Sequence, residues 1–487
     1  MTATDEYFPL LGDLSEIPPD YIRDVAHTKR VLERWTMDPA FREAFAHSPA
    51  SAIDSLGLPL SPAQILPIVP PEEVPRHSAE HAAATADPPR STRRYAAFIK
   101  EKLAHRDQLC ASNEAKNPQM AAWRRRQMNR CGGELGHTRA RAIVHAPAAF
   151  ELAKGCSVGC WFCGVSASKF DQTWPYTEDN ALLWRNVLAT MGDIVGDAME
   201  GSFLYWATDP LDNPEYESFL VDYHQVLKGC PQTTTALGHK NIDRTKRLLA
   251  LAESLGFGVN RFSIISLSAL NSIHESFTPE ELLRVECVAQ NKGAYAAPKA
   301  NAGRARQFAE KRADQLTPDD TSSTIACVSG FLFNMVEGSV RLITPCDADD
   351  RWPEGFWVVD QRTFGSAEEL RDVIGSMIDR NMRTSLRPDD TVRARSDLRI
   401  ATEGGRLHVR SLGLKTALPE LPDAEDMARL LLKGGGTVQE FALRRERNSG
   451  VPLAETMLLL DDLFALGLLD EEPEPPSTAV SVTLQTS

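Results

Sequence analysis

Three cysteines in the run ELAKGCSVGCWFCGVSA could do chemistry together. Cys156, Cys160 and Cys163 stand at Cys-x3-Cys-x2-Cys spacing, in a loop made permissive by Gly155, Gly159 and Gly164. Iron–sulfur clusters are held by cysteine thiolates. A cubane presents four irons, so three thiolates leave one iron open. An open iron can chelate a small molecule through an amino and a carboxylate group, and S-adenosylmethionine carries both. The expectation is one [4Fe-4S] cluster with S-adenosyl-L-methionine as its cofactor. The alternative is zinc, which wants a fourth Cys or His close by. The nearest are His145 and His137 upstream, and His224 and Cys230 downstream.

The motif resembles the cluster loop of radical S-adenosylmethionine (radical SAM) enzymes, and the resemblance implies further cofactor contacts. Phe162, before the last cysteine, occupies the place that packs near the adenine; an ordinary core aromatic reads the same way. A second expected strand ends in YWATDP. Radical SAM enzymes carry a Gly-Gly-Glu-like segment there to hold the methionyl amine, and this sequence lacks it. Thr208 and Asp209 are the candidates for that role, since a carboxylate accepts charge-assisted hydrogen bonds from an ammonium. Asp209-Pro210 is equally readable as a turn. Ser266 and Ser268, after the fourth expected strand, are candidates for the ribose or carboxylate. Lys299, Asn301 and Arg304 follow the fifth, where a charge run is as readily a solvated face.

The elements that must position these residues alternate short apolar runs with amphipathic helices, the pattern of βα units on a parallel sheet. Strands are expected at 149–153, 202–207, 233–237, 261–267 and 294–298, with a sixth around 324–333. Helices are expected at 179–199 and 243–255. The fold class is α/β, a partial (βα)6 barrel, with an N-terminal helical region and a C-terminal winged-helix-like module. In such a barrel the C-terminal strand ends face the active site. Residues 1–66 form the helical region, with Pro39 and Pro49 just inside helix starts. Residues 67–94 read as a Pro- and Ala-rich linker, and 95–146 as a helical lead-in. Residues 147–360 hold the barrel core with a hairpin at Glu337-Gly338. Residues 361–472 hold a second hairpin around Glu403-Gly404-Gly405 and three helices, and 473–487 read as a disordered tail.

The chain has 487 residues and a formal charge of −14, with 42% hydrophobic and 25% charged residues. Its length suits two or three folded units. The acidic balance excludes a nucleic-acid enzyme whose affinity comes from phosphate neutralisation. The start of the chain lacks a basic segment followed by an apolar one, and no window suits a membrane span. The expected location is cytoplasmic, where nine cysteines are no disulfide framework.

Together with YWATDPLDNP and ACVSGFLFNMVEGSVRLITPCDADDRWPEGFWV, the cluster loop resembles the radical SAM peptide epimerases of the polytheonamide type, over about residues 98–359. These enzymes mature ribosomally made peptides. The resemblance implies conversion of L- to D-residues in a precursor peptide by Cα hydrogen abstraction, with a cysteine thiol returning hydrogen from the opposite face. Cys346 and Cys327 are the candidates. Cys346 is preferred because its Pro-Cys-Asp turn can point into the barrel mouth. Cys110, Cys131, Cys230 and Cys287 read as inert buried thiols. The implied partners are the precursor peptide, leader and core, and an electron donor such as a flavodoxin or ferredoxin. The C-terminal module would capture the leader by strand addition, although a structural or dimerisation role fits it as well. FREAFAHSPASAIDSLGLPLSPAQ looks like the leader region of certain precursors. Another radical SAM peptide modifier, forming thioether or carbon–carbon cross-links, and a non-enzymatic iron–sulfur protein remain alternatives.

Overall fold

The computed structural model describes residues 7–112, 114–256, 258–295, 300–311 and 324–474. The N-terminal region is helical: α1 (Pro19–Met37), α2 (Pro39–His47), α3 (Pro49–Asp54) and α4 (Pro62–Ile65). The Asp38 carboxylate caps α2 by accepting from the Ala40 N–H (3.0 Å). Trp35, Phe41, Phe45, Ile53 and Ile65 form its apolar core. The expected linker at 67–94 is corrected. Three 3₁₀ turns, then α5 (Ser78–Ala86) and the start of α6 (Arg90–Ala111), fill it. AEHAAATA has no apolar period, but alanine needs none to favour a helix. The lead-in continues through α7 (Pro118–Leu135) and α8 (His137–Ala140).

The α/β core begins at β1 (Ala146–Glu151), followed by a two-stranded clasp, β2 (Ala153–Lys154) and β3 (Gln172–Thr173). Then come α9 (Glu178–Val195), α10 (Tyr216–Leu227), β4 (Thr234–Thr235), α11 (Ile242–Ser254), β5 (Asn260–Ile264), α12 (Leu267–Ser276), β6 (Val285–Ala289) and α13 (Gly303–Glu310). Next are β7 (Val328–Asn334), β8 (Ser339–Pro345), β9 (Phe356–Thr363) and α14 (Ala367–Asn381). Strands β4, β5 and β6 are parallel neighbours, and β7 is parallel to β1. The hairpin expected at Glu337-Gly338 joins β7 to β8, with Gly338 at φ +57°.

Three strand expectations are corrected. Residues 202–207 make only a bridge, Ala149 with Phe203, and the chain bends after it. The fifth strand is 285–289 rather than 294–298, of which 296–298 lie outside the described residues. The sixth joins β1 instead of the fifth, so the described residues form two separate sheets, β4-β5-β6 and β1-β7-β8-β9, with Phe203 bridged to β1, and they do not close into a barrel. One face, with Phe150, Phe331, Phe333 and Leu342, packs under helices that include α9, α10 and α14. The other, with Ala149, Leu332, Ile343 and Phe356, is the inner face.

The C-terminal module comprises β10 (Thr391–Val392), β11 (Arg399–Glu403), β12 (Arg406–Arg410), β13 (Lys415–Glu420), α15 (Ala424–Lys433), β14 (Gly436–Thr437), α16 (Val438–Ser449) and α17 (Leu453–Ala465). A three-stranded antiparallel sheet and three helices share one apolar core. Its expected start at residue 361 is corrected, because Leu370, Ile374 and Met377 of α14 pack on the α/β core. Of the expected tail, 475–487 lie outside the described residues. Among the described residues, no helix is long and apolar enough to cross a membrane.

Candidate cluster and cofactor site

The cysteine loop leaves the C-terminal end of β1 and is cinched at its base by the β2–β3 clasp. Inside the clasp, the Cys156 N–H donates to the Ser168 carbonyl (3.0 Å) and the Asp171 N–H to that of Lys154 (2.9 Å). Gly155 sits at φ +76°, and a Cβ there would run into the Lys169 carbonyl oxygen. A larger residue cannot take that place. The Cys163 carbonyl accepts from the N–H groups of Ser166 (3.3 Å) and Arg304 (3.0 Å). The Ala167 N–H points at Cys163 Sγ (3.3 Å), a hydrogen bond to sulfur of the kind that tunes iron–sulfur clusters.

Two other segments buttress the loop. The Asp212 carboxylate accepts from the Ser157 N–H (2.9 Å). On the far side, α13 abuts the loop through Gly303, at φ +54°, and Arg304 Nη2 donates to the Ala167 carbonyl (2.7 Å). Trp161, half exposed, packs on Phe308 of α13 and meets Phe162 edge to face. The loop also folds back over the inner face. Val165 joins the inner apolar cluster, and Gly164 lies against the Ile325 side chain.

Thr208 and Asp209 are buried beside this loop. The Asp209 carboxylate already accepts from Thr235 Oγ1 (2.7 Å) and from the N–H groups of Ala236 (2.7 Å) and Leu211 (3.0 Å). Burial nevertheless pushes it up to about 6. This carboxylate thus ties the 208–212 turn to β4, so most of its accepting capacity is used before any ligand arrives. Glu151 ties the same segment to β1 and β7, accepting from the Ala207 N–H (2.8 Å) and Asn334 Nδ2 (3.1 Å). Burial raises the Cys156 thiol to about 11 and also raises Cys160, where Cys163 adds to the rise and Arg304 opposes it. Metal binding at such thiols is coupled to proton release.

The structure therefore brings Cys156, Cys160, Cys163, Phe162, Thr208, Asp209 and Arg304 into one neighbourhood. Ser266 is spent locally, its hydroxyl capping α12 by accepting from the Ala269 N–H (3.1 Å), and Ser268 is exposed in the first turn. The side-chain bonds of α12 run to α1. Lys299 lies outside the described residues. Asp212, Glu151 and Thr235 were missed by sequence reasoning. Asp212 and Glu151 had local signals, Asp212 standing in the same DPLDNP run as Asp209 and Glu151 at the head of the cysteine run.

The expectation that Cys346 points into the barrel mouth is corrected. It is 1% exposed, packed with Trp352 and Trp357 on the side of the sheet that faces α7, where Arg130 and Cys131 bond the preceding Pro345 carbonyl. Burial pushes its thiol far up. Cys327 precedes β7 and lines a cavity of about 120 Å³ with Tyr205, Arg261 and Lys102. Val144, Ser202, Gln232 and Val259, each one or two residues before a strand or bridge, line it too, so it lies at the N-terminal strand ends. Burial raises the Cys327 thiol to about 11.

A further polar group was also missed. Glu33, His274 and Cys287 converge within 4.8 Å, where α1 meets the barrel. Lys29 bonds Glu33 and the Leu282 carbonyl, so a cation already sits in this network. Burial pushes the Glu33 carboxyl up, but Lys29 and His274 together hold it at about 2.

No family model matches the sequence. The chain is 38% identical over 463 residues to "Uncharacterized protein y4wI" of Sinorhizobium fredii (strain NBRC 101917 / NGR234), across 93% of this chain and 89% of that protein. A solved structure, that of BtrN in complex with AdoMet and 2-DOIA, is similar at a TM-score of 0.32 and 14% identity, over 48% of this chain and 82% of that one.

Proposed function

The chain belongs to the family of the Sinorhizobium fredii protein y4wI, and from its site we propose that it is a radical SAM enzyme. One observation carries the reading. Three cysteines, and no fourth, are held in a clasped loop at the C-terminal end of a parallel strand, with a backbone N–H aimed at one sulfur. The residues fit the group, because an all-cysteine donor set suits iron–sulfur chemistry and the glycines let backbone approach the loop where a Cβ would collide. When bound, the cluster and S-adenosylmethionine supply hydrogen-atom abstraction by a 5′-deoxyadenosyl radical. The chain's own residues hold and orient: Asp212 and α13 fix the loop, while Glu151 and Asp209 fix the 207–212 segment beside it.

Within that class, we propose epimerisation of residues in a ribosomal precursor peptide, with an electron donor of the flavodoxin or ferredoxin kind. The support is the sequence resemblance over the core. The C-terminal module, whose sheet ends in the exposed strands β11 and β13, offers edges to which a leader strand could add. Neither thiol lies at the C-terminal strand ends beside the cysteine loop, Cys346 being sealed against Trp352 and Trp357 and Cys327 lying at the N-terminal strand ends. Of the two, Cys327 replaces Cys346 as the proposed hydrogen donor. It borders the inner apolar cluster, and Ile325, two residues before it, touches Gly164 of the cysteine loop.

The test is anaerobic reconstitution. Wild-type protein is expected to hold about four irons per chain and to release 5′-deoxyadenosine when reduced. Replacing Cys156, Cys160 and Cys163 together by Ala should abolish both. Retained 5′-deoxyadenosine formation in that variant would overturn the proposal.

A further inference from the structure

We infer that Ser166 and Arg304 form the subsite that receives the carboxylate at the amino-acid end of S-adenosylmethionine; this deepens the reading above and rests on it. Both residues are pinned to one point, since their backbone N–H groups share the Cys163 carbonyl as acceptor. Each also presents a side-chain atom that the fold leaves unsatisfied. Among the described residues, Ser166 Oγ and Arg304 Nε are buried without a hydrogen-bond partner. Buried polar groups are nearly always paired, so two orphans on residues that share one backbone acceptor call for an explanation. Ser166 adds a second irregularity. Its φ is +49°, a backbone conformation that glycine adopts freely and an L side chain does not. Strain of this sort clusters at ligand sites, where the surrounding structure holds it in place.

The chemistry of the pair selects its ligand. The Arg304 Nε–H can only donate, and the Ser166 hydroxyl can donate, so together they suit an anion. A carboxylate matches the planar guanidinium especially well. The position selects which anion. Arg304 is close enough to act electrostatically on Cys160, and both residues hold the Cys163 backbone. An iron left open by these thiolates would chelate the amino-acid end of the cofactor. The ribose and adenine lie beyond the sulfonium and would fall farther away. Arg304 Nη2 keeps its own bond to the Ala167 carbonyl, so the guanidinium is already oriented before the ligand arrives.

The experiment measures binding rather than turnover. Unreduced, cluster-loaded protein is titrated with S-adenosylmethionine and with decarboxylated S-adenosylmethionine, alongside iron content and melting temperature. Ser166→Gly removes the hydroxyl while suiting the left-handed backbone. It should keep its iron and melt no lower than wild type, yet bind S-adenosylmethionine about 10-fold or more weakly. Arg304→Ala should weaken binding by about 10- to 100-fold. Arg304→Lys should weaken it less, because a point charge remains. Neither residue should matter to the decarboxylated analogue. The subsite is overturned if Ser166→Gly and Arg304→Lys bind as wild type does, or if affinity for both ligands falls equally. Should Arg304→Ala lose iron, Ser166→Gly decides alone. Wild-type protein that holds its cluster and binds neither ligand would overturn the proposed function itself.

Discussion

Gly159 and Gly303 allow the buttressing of the cysteine loop to be measured. Both have left-handed backbones, at φ +64° and +54°. A Cβ on Gly159 would meet nothing within 4 Å, whereas one on Gly303 would lie 2.5 Å from the Gly164 carbonyl oxygen and 2.8 Å from that of Cys163. Both Ala variants incur the left-handed penalty of about 1–2 kcal/mol, partly offset by about 0.4–1 kcal/mol from a stiffer unfolded chain. Only Gly303→Ala must also push α13 off the loop. Carbon and oxygen cannot share that space, so the Arg304 N–H bond to Cys163 would be stretched or lost, costing about 0.5–1.5 kcal/mol. Overpacking adds about 1–3 kcal/mol. Gly303→Ala is therefore expected to exceed Gly159→Ala by about 2–4 kcal/mol in urea unfolding, and to retain less iron after anaerobic reconstitution. Equal destabilisation and equal iron in the two variants would refute the claim that α13 holds the loop.

Three further outcomes are expected. Burial, with Arg124 and Arg130 nearby, holds the buried His145 imidazole down at about 3, against 6.5 unperturbed. The unfolded chain therefore binds a proton there between those values that the folded one does not, and stability present above 6.5 is lost as pH falls toward 3. This group's share of that loss is up to about 5 kcal/mol. His145→Asn, which tolerates the φ of +52°, should flatten that slope in urea unfolding followed from pH 7 to 4; an unchanged slope would show that the imidazole does not stay neutral. Asp423 and Arg445 form a buried two-pronged ion pair in the C-terminal module (2.6 and 2.7 Å). Asp423→Ala should destabilise the module by about 3–5 kcal/mol, and a melting curve like that of wild type would contradict this. In turnover with a precursor peptide in deuterated water, Cys346→Ala should still place deuterium at inverted Cα centres while Cys327→Ala should not. The reverse pattern would return the donor role to Cys346.

The cysteine loop was legible because its signal is local: residue type, spacing and flanking glycines all lie within one short run. The strand at 285–289 was not, because VECVA is a short run that Glu286 interrupts. Lys102 and Arg261 both donate to the Glu286 carboxylate, and Lys102 is contributed by a helix far back in the chain. The Cys346 turn was misread for a related reason. Its Pro-Cys-Asp sequence suits a mouth, but which side of β8 it faces depends on α7, whose Arg130 and Cys131 claim the Pro345 carbonyl. Asp209 illustrates a third limit. Its place beside the loop could be guessed from strand order, whereas the three donors that already occupy it come from a neighbouring strand and its own turn.

Helix α7 gives the two ends of the molecule a common beam. On its barrel side, Arg124 bonds the carbonyls of His145 and Ser329, and Arg130 bonds Thr344 and Pro345. Toward the C-terminal module, Arg126 pairs with Glu471 and lies 3.9 Å over the Phe464 ring. Its Gly133 carbonyl accepts from Ser411 Oγ (2.8 Å). Gly413 approaches Gly132 so closely that a Cβ would overlap its carbonyl oxygen. Buried arginines with several backbone acceptors are costly to undo, because every broken bond leaves a desolvated donor or acceptor. The module is thus held on the α/β core by a helix that bonds to both. Under the proposed function, a leader strand held by the module would be anchored at a fixed distance from the cysteine loop. The length of peptide between leader and core would then decide which residue reaches the site.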